Sequence, residues 1–336
     1  MTASLPPKPP APPPSSPAAA RPVAPLPPRP FAPAPPIAPL PPLAARPPVI
    51  APLPPPSPAA AAAVPALVSP ADFELVRKLV RERSGIVIEP RQEYLVETRL
   101  KTVARRRNLE KLGQLFDQLR LGSDPKLATE VVEALTTNET SFFRDFEPFE
   151  ALKGCVLPEL LRARASKRTL RIWSAASSSG QEAYSLLMMM RDGFPQLAVW
   201  KLELLGTDLS AEMVRRAKAA TYTSFEVRRG MADAQTSKWL EPVGDDFRVK
   251  EELRKLVDFR EMNLVAPFPP MATYDLVLLR NVLIYFDVET KRQILKKIRS
   301  VLAPDGVLMI GASESLLGVD ESWKTVRVGR ATTYKP

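Results

Sequence analysis

Proline placement constrains this chain more than any other feature. Of its 39 prolines, 28 fall between Met1 and Pro70. Proline fixes φ, lacks the backbone N–H and clashes with the preceding turn, so such a stretch builds neither helix nor sheet. It contains no Gly, Asp or Glu, and its only charges are Lys8, Arg21, Arg29 and Arg46. Copies of Ala-Pro-Leu-Pro-Pro begin at Ala24, Ala38 and Ala51. Residues 1–70 therefore read as a disordered Pro/Ala-rich tail of polyproline II character, at most roughly 200 Å long at about 3.1 Å per residue. It suits a spacer or a ligand for proline-binding grooves, and nothing in it names a partner. The remaining 266 residues hold 11 prolines and a mixed apolar and charged composition, enough for one or two domains with a real core.

Two absences narrow the chemistry. The chain has no histidine and a single cysteine, Cys155. That excludes Ser-His-Asp and Cys-His nucleophiles, a histidine-ligated zinc, a Cys-x-x-Cys site and an internal disulfide. No metal site is expected, and the cysteine usage fits a reducing cytoplasm. The formal charge of +10 divides into +4 in the tail and +6 in the remainder, compatible with nucleic acid, an anionic surface or an acidic protein. The apolar run Ala59–Val68 is too short to span a bilayer, and no signal peptide is evident, so the chain reads as soluble and without membrane insertion; a monomer is expected.

Residues 71–137 have helical periodicity. Asp72 is expected to cap a first helix carrying Phe73, Val76, Leu79 and Val80. A second follows Pro90, with basic residues Arg99, Lys101, Arg105, Arg106 and Arg107, and further helices cover Leu112–Leu119 and Pro125–Leu135. After Leu170 strands and helices alternate. Strands are expected at Leu170–Ala175, Val199–Gly206, Val257–Met262, Tyr274–Leu279 and Gly306–Ile310, and helices from Gly180 to Arg191, Ser210–Ala219 and Val288–Leu302. This is the pattern of an α/β fold with a doubly wound parallel sheet. The rhythm breaks over about 222–256, which suggests a small inserted β-subdomain.

In such a fold ligands sit at the carboxyl ends of strands, and an acid after the second strand suits ribose hydroxyls. The first strand leads into Ser174-Ala-Ala-Ser-Ser-Ser-Gly180, and Asp208 ends the second. One glycine is too few for the close approach of a pyrophosphate, which disfavours NAD. S-adenosylmethionine has a ribose but no phosphate and tolerates this turn.

Several segments together resemble the CheR family of chemotaxis receptor methyltransferases. They are Asn138-Glu-Thr-Ser-Phe-Phe-Arg144, Arg171-Ile-Trp-Ser-Ala175 through Gly180-Gln-Glu-Ala-Tyr-Ser185, Gly206-Thr-Asp-Leu209, Met262-Asn-Leu264, Arg280-Asn-Val-Leu-Ile-Tyr-Phe286 and Gly311-Ala-Ser-Glu-Ser-Leu316. The resemblance implies a small N-terminal helical domain over 71–137 and a Rossmann-like methyltransferase domain over 138–336. It implies methyl transfer from S-adenosylmethionine, leaving S-adenosylhomocysteine, to glutamates in the cytoplasmic helical domain of methyl-accepting chemotaxis receptors. Cofactor contacts are implied at Asn138, Thr140, Arg144, Glu182 and Asp208, and at Asn263, Leu264, Arg280 and Asn281. Tyr285 resembles an aromatic beside the transferred methyl, and the basic run Arg99, Lys101, Arg105, Arg106 and Arg107 corresponds to a substrate-docking face. Each position also has a plain structural reading as a cap, core residue or solvated charge.

The chain departs from the family at Ala176 and Ser177, where Gly and Cys are usual, at Ala183, where Pro is usual, and at Ala312, where His is common. A methyl group at 176 crowds the site if that backbone needs φ > 0. The Gly-Asp-Asp turn after Val243 is short, so a receptor tether peptide on this sheet edge is not expected. Two other readings stand beside the leading one: a module that binds S-adenosylmethionine or S-adenosylhomocysteine without turnover, and a nucleic-acid methyltransferase. The second is weakened by the lack of an Asn/Asp-Pro-Pro-Tyr/Phe motif.

Overall fold

The computed structural model describes residues 68–336; the polyproline reading of the tail lies outside the described residues. The first helix, α1 (Pro70–Ser84), begins before the expected Asp72 cap. The Ser69 hydroxyl accepts the Asp72 N–H, and Pro70 takes the first helical position, where a missing N–H and fixed φ are favourable. Pro70, read as the tail's last residue, is thus helical. Then come α2 (Glu93–Arg106), α3 (Leu112–Leu121) and α4 (Pro125–Leu135). Helix α4 starts where the Asp124 carboxylate accepts the N–H groups of Lys126 and Leu127. Val76, Val80, Leu100, Leu115, Phe116 and Val131 form the buried centre of this bundle.

Helix α5 (Phe146–Ala151) runs through a π turn at Leu152–Val156 into α6 (Leu157–Ala163). None of these was anticipated from periodicity. The wound part follows with β1 (Thr169–Ala175), α7 (Gln181–Gly193), β2 (Lys201–Asp208) and α8 (Ala211–Ala219). Strand β2 starts two residues later than expected because Pro195–Val199 closes a 3₁₀ turn. The insert comprises β3 (Thr221–Thr223), α9 (Ser224–Arg228), α10 (Asp233–Trp239), β4 (Leu240–Val243), β5 (Asp246–Val249) and α11 (Glu251–Arg254), its strands paired antiparallel as β3-β5-β4. The chain returns through β6 (Val257–Glu261), β7 (Tyr274–Leu279), α12 (Val288–Val301) and β8 (Leu302–Ile310) to a hairpin, β9 (Lys324–Val328) and β10 (Ala331–Lys335).

The main sheet has the order β6-β2-β1-β7-β8-β10-β9, with β6 through β8 parallel and the hairpin antiparallel. From β1 the chain winds outward through β2 to β6, then crosses to β7 on the other side. The winding direction therefore reverses between β1 and β7, which opens a crevice at their carboxyl ends. Every residue of β7 is buried, as expected for a parallel strand covered on both faces. Ile172, Leu204 and Leu278 pack with Tyr184 and Leu187 of α7 on one face, and Trp173, Val277 and Leu279 with Ile294 and Ile298 of α12 on the other. Among the described residues no helix is long and apolar enough to cross a membrane.

Candidate functional site

The crevice at the β1–β7 switch point is a cleft with about 920 Å³ of empty space, part of it open to solvent. The carboxyl ends of β1, β2 and β7 form its floor. The segment Thr136–Ser141 forms one wall, and Ser84, the last residue of α1, and Ile86 beyond it close it from the helical bundle. Asn138, Thr140, Arg144, Glu182 and Asp208 all line it, as do Asn263, Leu264, Arg280, Asn281 and Tyr285. Residues spread over almost 150 positions thus meet because three parallel strands deliver their exits to one edge.

At the centre lies Arg280, whose side chain is 3 % exposed. Its Nη1 donates to Glu182 Oε2 at 2.9 Å, and its Nη2 to the Arg144 carbonyl at 2.8 Å and to Asp145 Oδ2 at 3.1 Å. Phe149 lies under the guanidinium at 5.6 Å. Glu182, in the first turn of α7, also accepts the Ser174 hydroxyl at 2.8 Å. Asp208 accepts the N–H groups of Ser178 (2.8 Å) and Ser210 (3.0 Å). Burial raises its pKa above the ordinary carboxylate value, partly opposed by these N–H bonds. Each Asp208 oxygen keeps a lone pair for a further donor.

Unusual backbone gathers in the cleft and directly beside it. Phe143 (φ 48°), Asp145 (55°), Ala176 (56°), Ser178 (49°) and Asn281 (58°) all occupy the left-handed region without being glycine. Such positions persist only where the surroundings hold them. Ala176 therefore meets the condition set from sequence: its backbone does need positive φ. Ala312, by contrast, is exposed.

Asn263 lines the cleft while its amide is engaged elsewhere: Nδ2 donates to the Arg83 carbonyl at 2.6 Å, and Oδ1 accepts the Val265 N–H at 3.1 Å. The α2 residues do not reach the cleft lining. Arg99 donates to the Thr136 carbonyl at 2.6 Å and to Thr137 Oγ1 at 3.3 Å, bracing the wall from behind. Arg107 is held by Glu130 (2.8 Å) and Asp124 (2.6 Å), and its hydrogen bonds lower the pKa of both carboxyls. Lys101 pairs with Glu97 at 2.6 Å. Arg105 and Arg106 stand exposed in the last turn of α2.

Sequence reasoning missed Ser84 and Ile86 as lining residues. It also missed Lys297 of α12, which donates to the carbonyls of Leu264 (2.5 Å) and Ala266 (2.8 Å) and lies 4.9 Å over Phe268. A lysine in a basic amphipathic helix gives no signal of this inward role.

Residues 138–332 match the profile described as "CheR methyltransferase, SAM binding domain", and residues 71–136 match "CheR methyltransferase, all-alpha domain". The chain belongs to the CheR methyltransferase family. It is 39 % identical to "Chemotaxis protein methyltransferase 1" of Pseudomonas aeruginosa, over 79 % of this chain and 97 % of the relative. Identity is 37 % to "Chemotaxis protein methyltransferase Cher2" of Pseudomonas putida, over 79 % and 97 %. It is 36 % to "Chemotaxis protein methyltransferase" of Vibrio parahaemolyticus, over 80 % and 98 %. This CheR-family chain is an S-adenosylmethionine-dependent methyltransferase with a Rossmann-like sheet domain.

The cleft suits that cofactor on its own chemistry. Arg280 Nε and Ser177 Oγ are buried without a partner among the described residues, and both residues line the cleft. Buried donors of this kind call for acceptors, which a methionine carboxylate and ribose oxygens supply. Asp208 offers the complementary acceptors for hydroxyl groups. Among the described residues no cluster of His, Cys, Asp and Glu is arranged to hold a metal.

Proposed function

We propose that this chain methylates glutamate side chains in the cytoplasmic helical domain of chemoreceptors, giving glutamyl methyl esters that tune a chemotaxis-type signal. On this reading it works in the cytoplasm. The observation that carries the proposal is the composition of the cleft: many fixed dipoles, an Arg280–Glu182 pair and no histidine anywhere in the chain. Glutamate is already an anion at pH 7, so an incoming carboxylate needs no general base. S-adenosylmethionine, when bound, supplies an electrophilic methyl on a sulfonium. The protein's part is to align and dry the reacting groups, which is worth roughly 7–11 kcal/mol for well-oriented partners. Asp208, Asn138 and Thr140 would hold the nucleoside end, and Arg144, Glu182, Arg280 and Asn281 the amino-acid end. Asn263 and Leu264 would close the adenine side, with Tyr285 beside the incoming carboxylate.

Arg105 and Arg106 supply free positive charge for an acidic receptor helix. Arg99, Lys101 and Arg107 would act there chiefly through the shape they give α2. We also propose that no tether peptide adds to the insert. One of its two edge strands, β4, carries Pro242, and proline cannot donate to a new ladder; the short Gly-Asp-Asp turn after Val243 leaves little loop to hold such a peptide.

The test is incubation with labelled S-adenosylmethionine and receptor cytoplasmic fragments. Base-labile label released as methanol is expected, and label appearing in nucleic acid alone would refute the reading. Ala176 at φ 56° favours a second possibility, a binding module without turnover; S-adenosylhomocysteine binding with no transfer to any receptor fragment would establish it.

A further inference from the structure

The segment Gly311–Leu316 follows β8 and shares no residue with the cleft lining. Its Glu314 carboxylate nevertheless collects three backbone donors. Oε2 accepts from Gly311 at 2.6 Å and from Asn281 at 2.8 Å, and Oε1 accepts from Ile284 at 3.2 Å. The Glu314 N–H donates back to the Gly311 carbonyl at 3.0 Å. Two of those donors belong to the turn by which the chain leaves β7, the turn that carries Asn281 at φ 58° and Tyr285. The approach is so close that a Cβ on Gly311 would lie 2.7 Å from Glu314 Oε2 and 2.8 Å from the Asn281 nitrogen. Leu316, buried two residues on, anchors the far end of the segment, its N–H donating to the Tyr334 hydroxyl at 3.4 Å.

A carboxylate is the side chain that suits this place. It offers only acceptors, whereas an amide of the same shape would turn an NH₂ toward one of three N–H groups. We infer that Glu314 is a positioning residue for methyl transfer: it locks the Arg280–Tyr285 turn, and so sets where Asn281 and Tyr285 face the ligand, without touching the ligand itself. This rests on the roles proposed above for Asn281 and Tyr285.

Glu314→Gln tests it through binding of S-adenosylhomocysteine, measured calorimetrically, and through deuterium uptake at 281–285. The expected result is a loss of affinity of roughly tenfold to a hundredfold. Exchange at 281–285 should accelerate while exchange in α2 and α4 stays unchanged, which a merely global weakening would not produce. In an Asn281→Gly background, where positive φ is intrinsically allowed, the same change should cost less than about threefold. Unchanged affinity and exchange in Glu314→Gln, or an equal fold-loss in the glycine background, overturns the inference. If Glu314→Gln does not fold, the unaltered protein decides. The Asn281 and Ile284 amides should exchange more slowly than those of Val282 and Leu283, and equal rates overturn the inference. None of these readouts uses a receptor. A protein that binds S-adenosylhomocysteine but methylates no receptor would sink the substrate reading and leave this one standing.

Discussion

At the scale of single residues, Ala176 stands out for its backbone. Its φ of 56° places a Cβ where the left-handed region penalises one, roughly 1 kcal/mol for a non-glycine residue. Ala176→Gly should therefore raise stability by about 0.5–1 kcal/mol, the strain relief exceeding the added freedom of the unfolded chain. Denaturant titration checks the gain, and calorimetry should show S-adenosylhomocysteine binding at least as tight as before. The strain was only half legible in the sequence: the Gly-to-Ala departure was visible, but not that the turn keeps its left-handed geometry regardless. Likewise, the spacing of Arg99 marked a helix face, yet could not show that its guanidinium reaches a carbonyl at Thr136, 37 residues on. Long-range side-chain partners of this sort follow from packing, not from local pattern.

Elements with strong end signals were read best. The proline start of α4 and the β7 run, apolar except for Asp275, gave boundaries that coincide with those observed, Pro125–Leu135 and Tyr274–Leu279. The β9–β10 hairpin was missed because β9 is a charged, half-exposed edge with Lys324 and Arg327, the usual guard on an unpaired edge, and so lacks apolar alternation. The join of α2 to α4 depends on charge rather than on apolar pattern alone. Arg107 lowers the pKa of Glu130 and Asp124. Depressed carboxylates stabilise the fold above their ordinary pKa values, and that contribution disappears as pH falls through the depressed ones. Arg107→Ala should thus lower the melting temperature at pH 7, with the gap to the unaltered protein narrowing below about pH 4. A thermal melt series across pH measures both, and a constant gap would show that the side chain acts through packing alone.

On the scale of the whole molecule, the fold class was legible because strand–helix alternation and the site motifs point the same way. What sequence could not show is that the helical bundle supplies part of the cleft. Val87 donates to the Tyr285 carbonyl at 2.9 Å, Ile86 bridges Phe286, and Asn263 reaches the Arg83 carbonyl. A ligand in the cleft is therefore enclosed by Ser84 and Ile86 on one side and by Glu182 and Asp208 on the other. S-adenosylhomocysteine at a hundred times its Kd should stabilise the native state by about 2.7 kcal/mol. Hydrogen exchange should slow in α1 as well as in α7, whereas protection confined to the sheet domain would contradict this geometry. The product left after methyl transfer then acts as mortar between the helical bundle and the sheet domain. How firmly the two hold together becomes a readout of how much spent cofactor has accumulated around them.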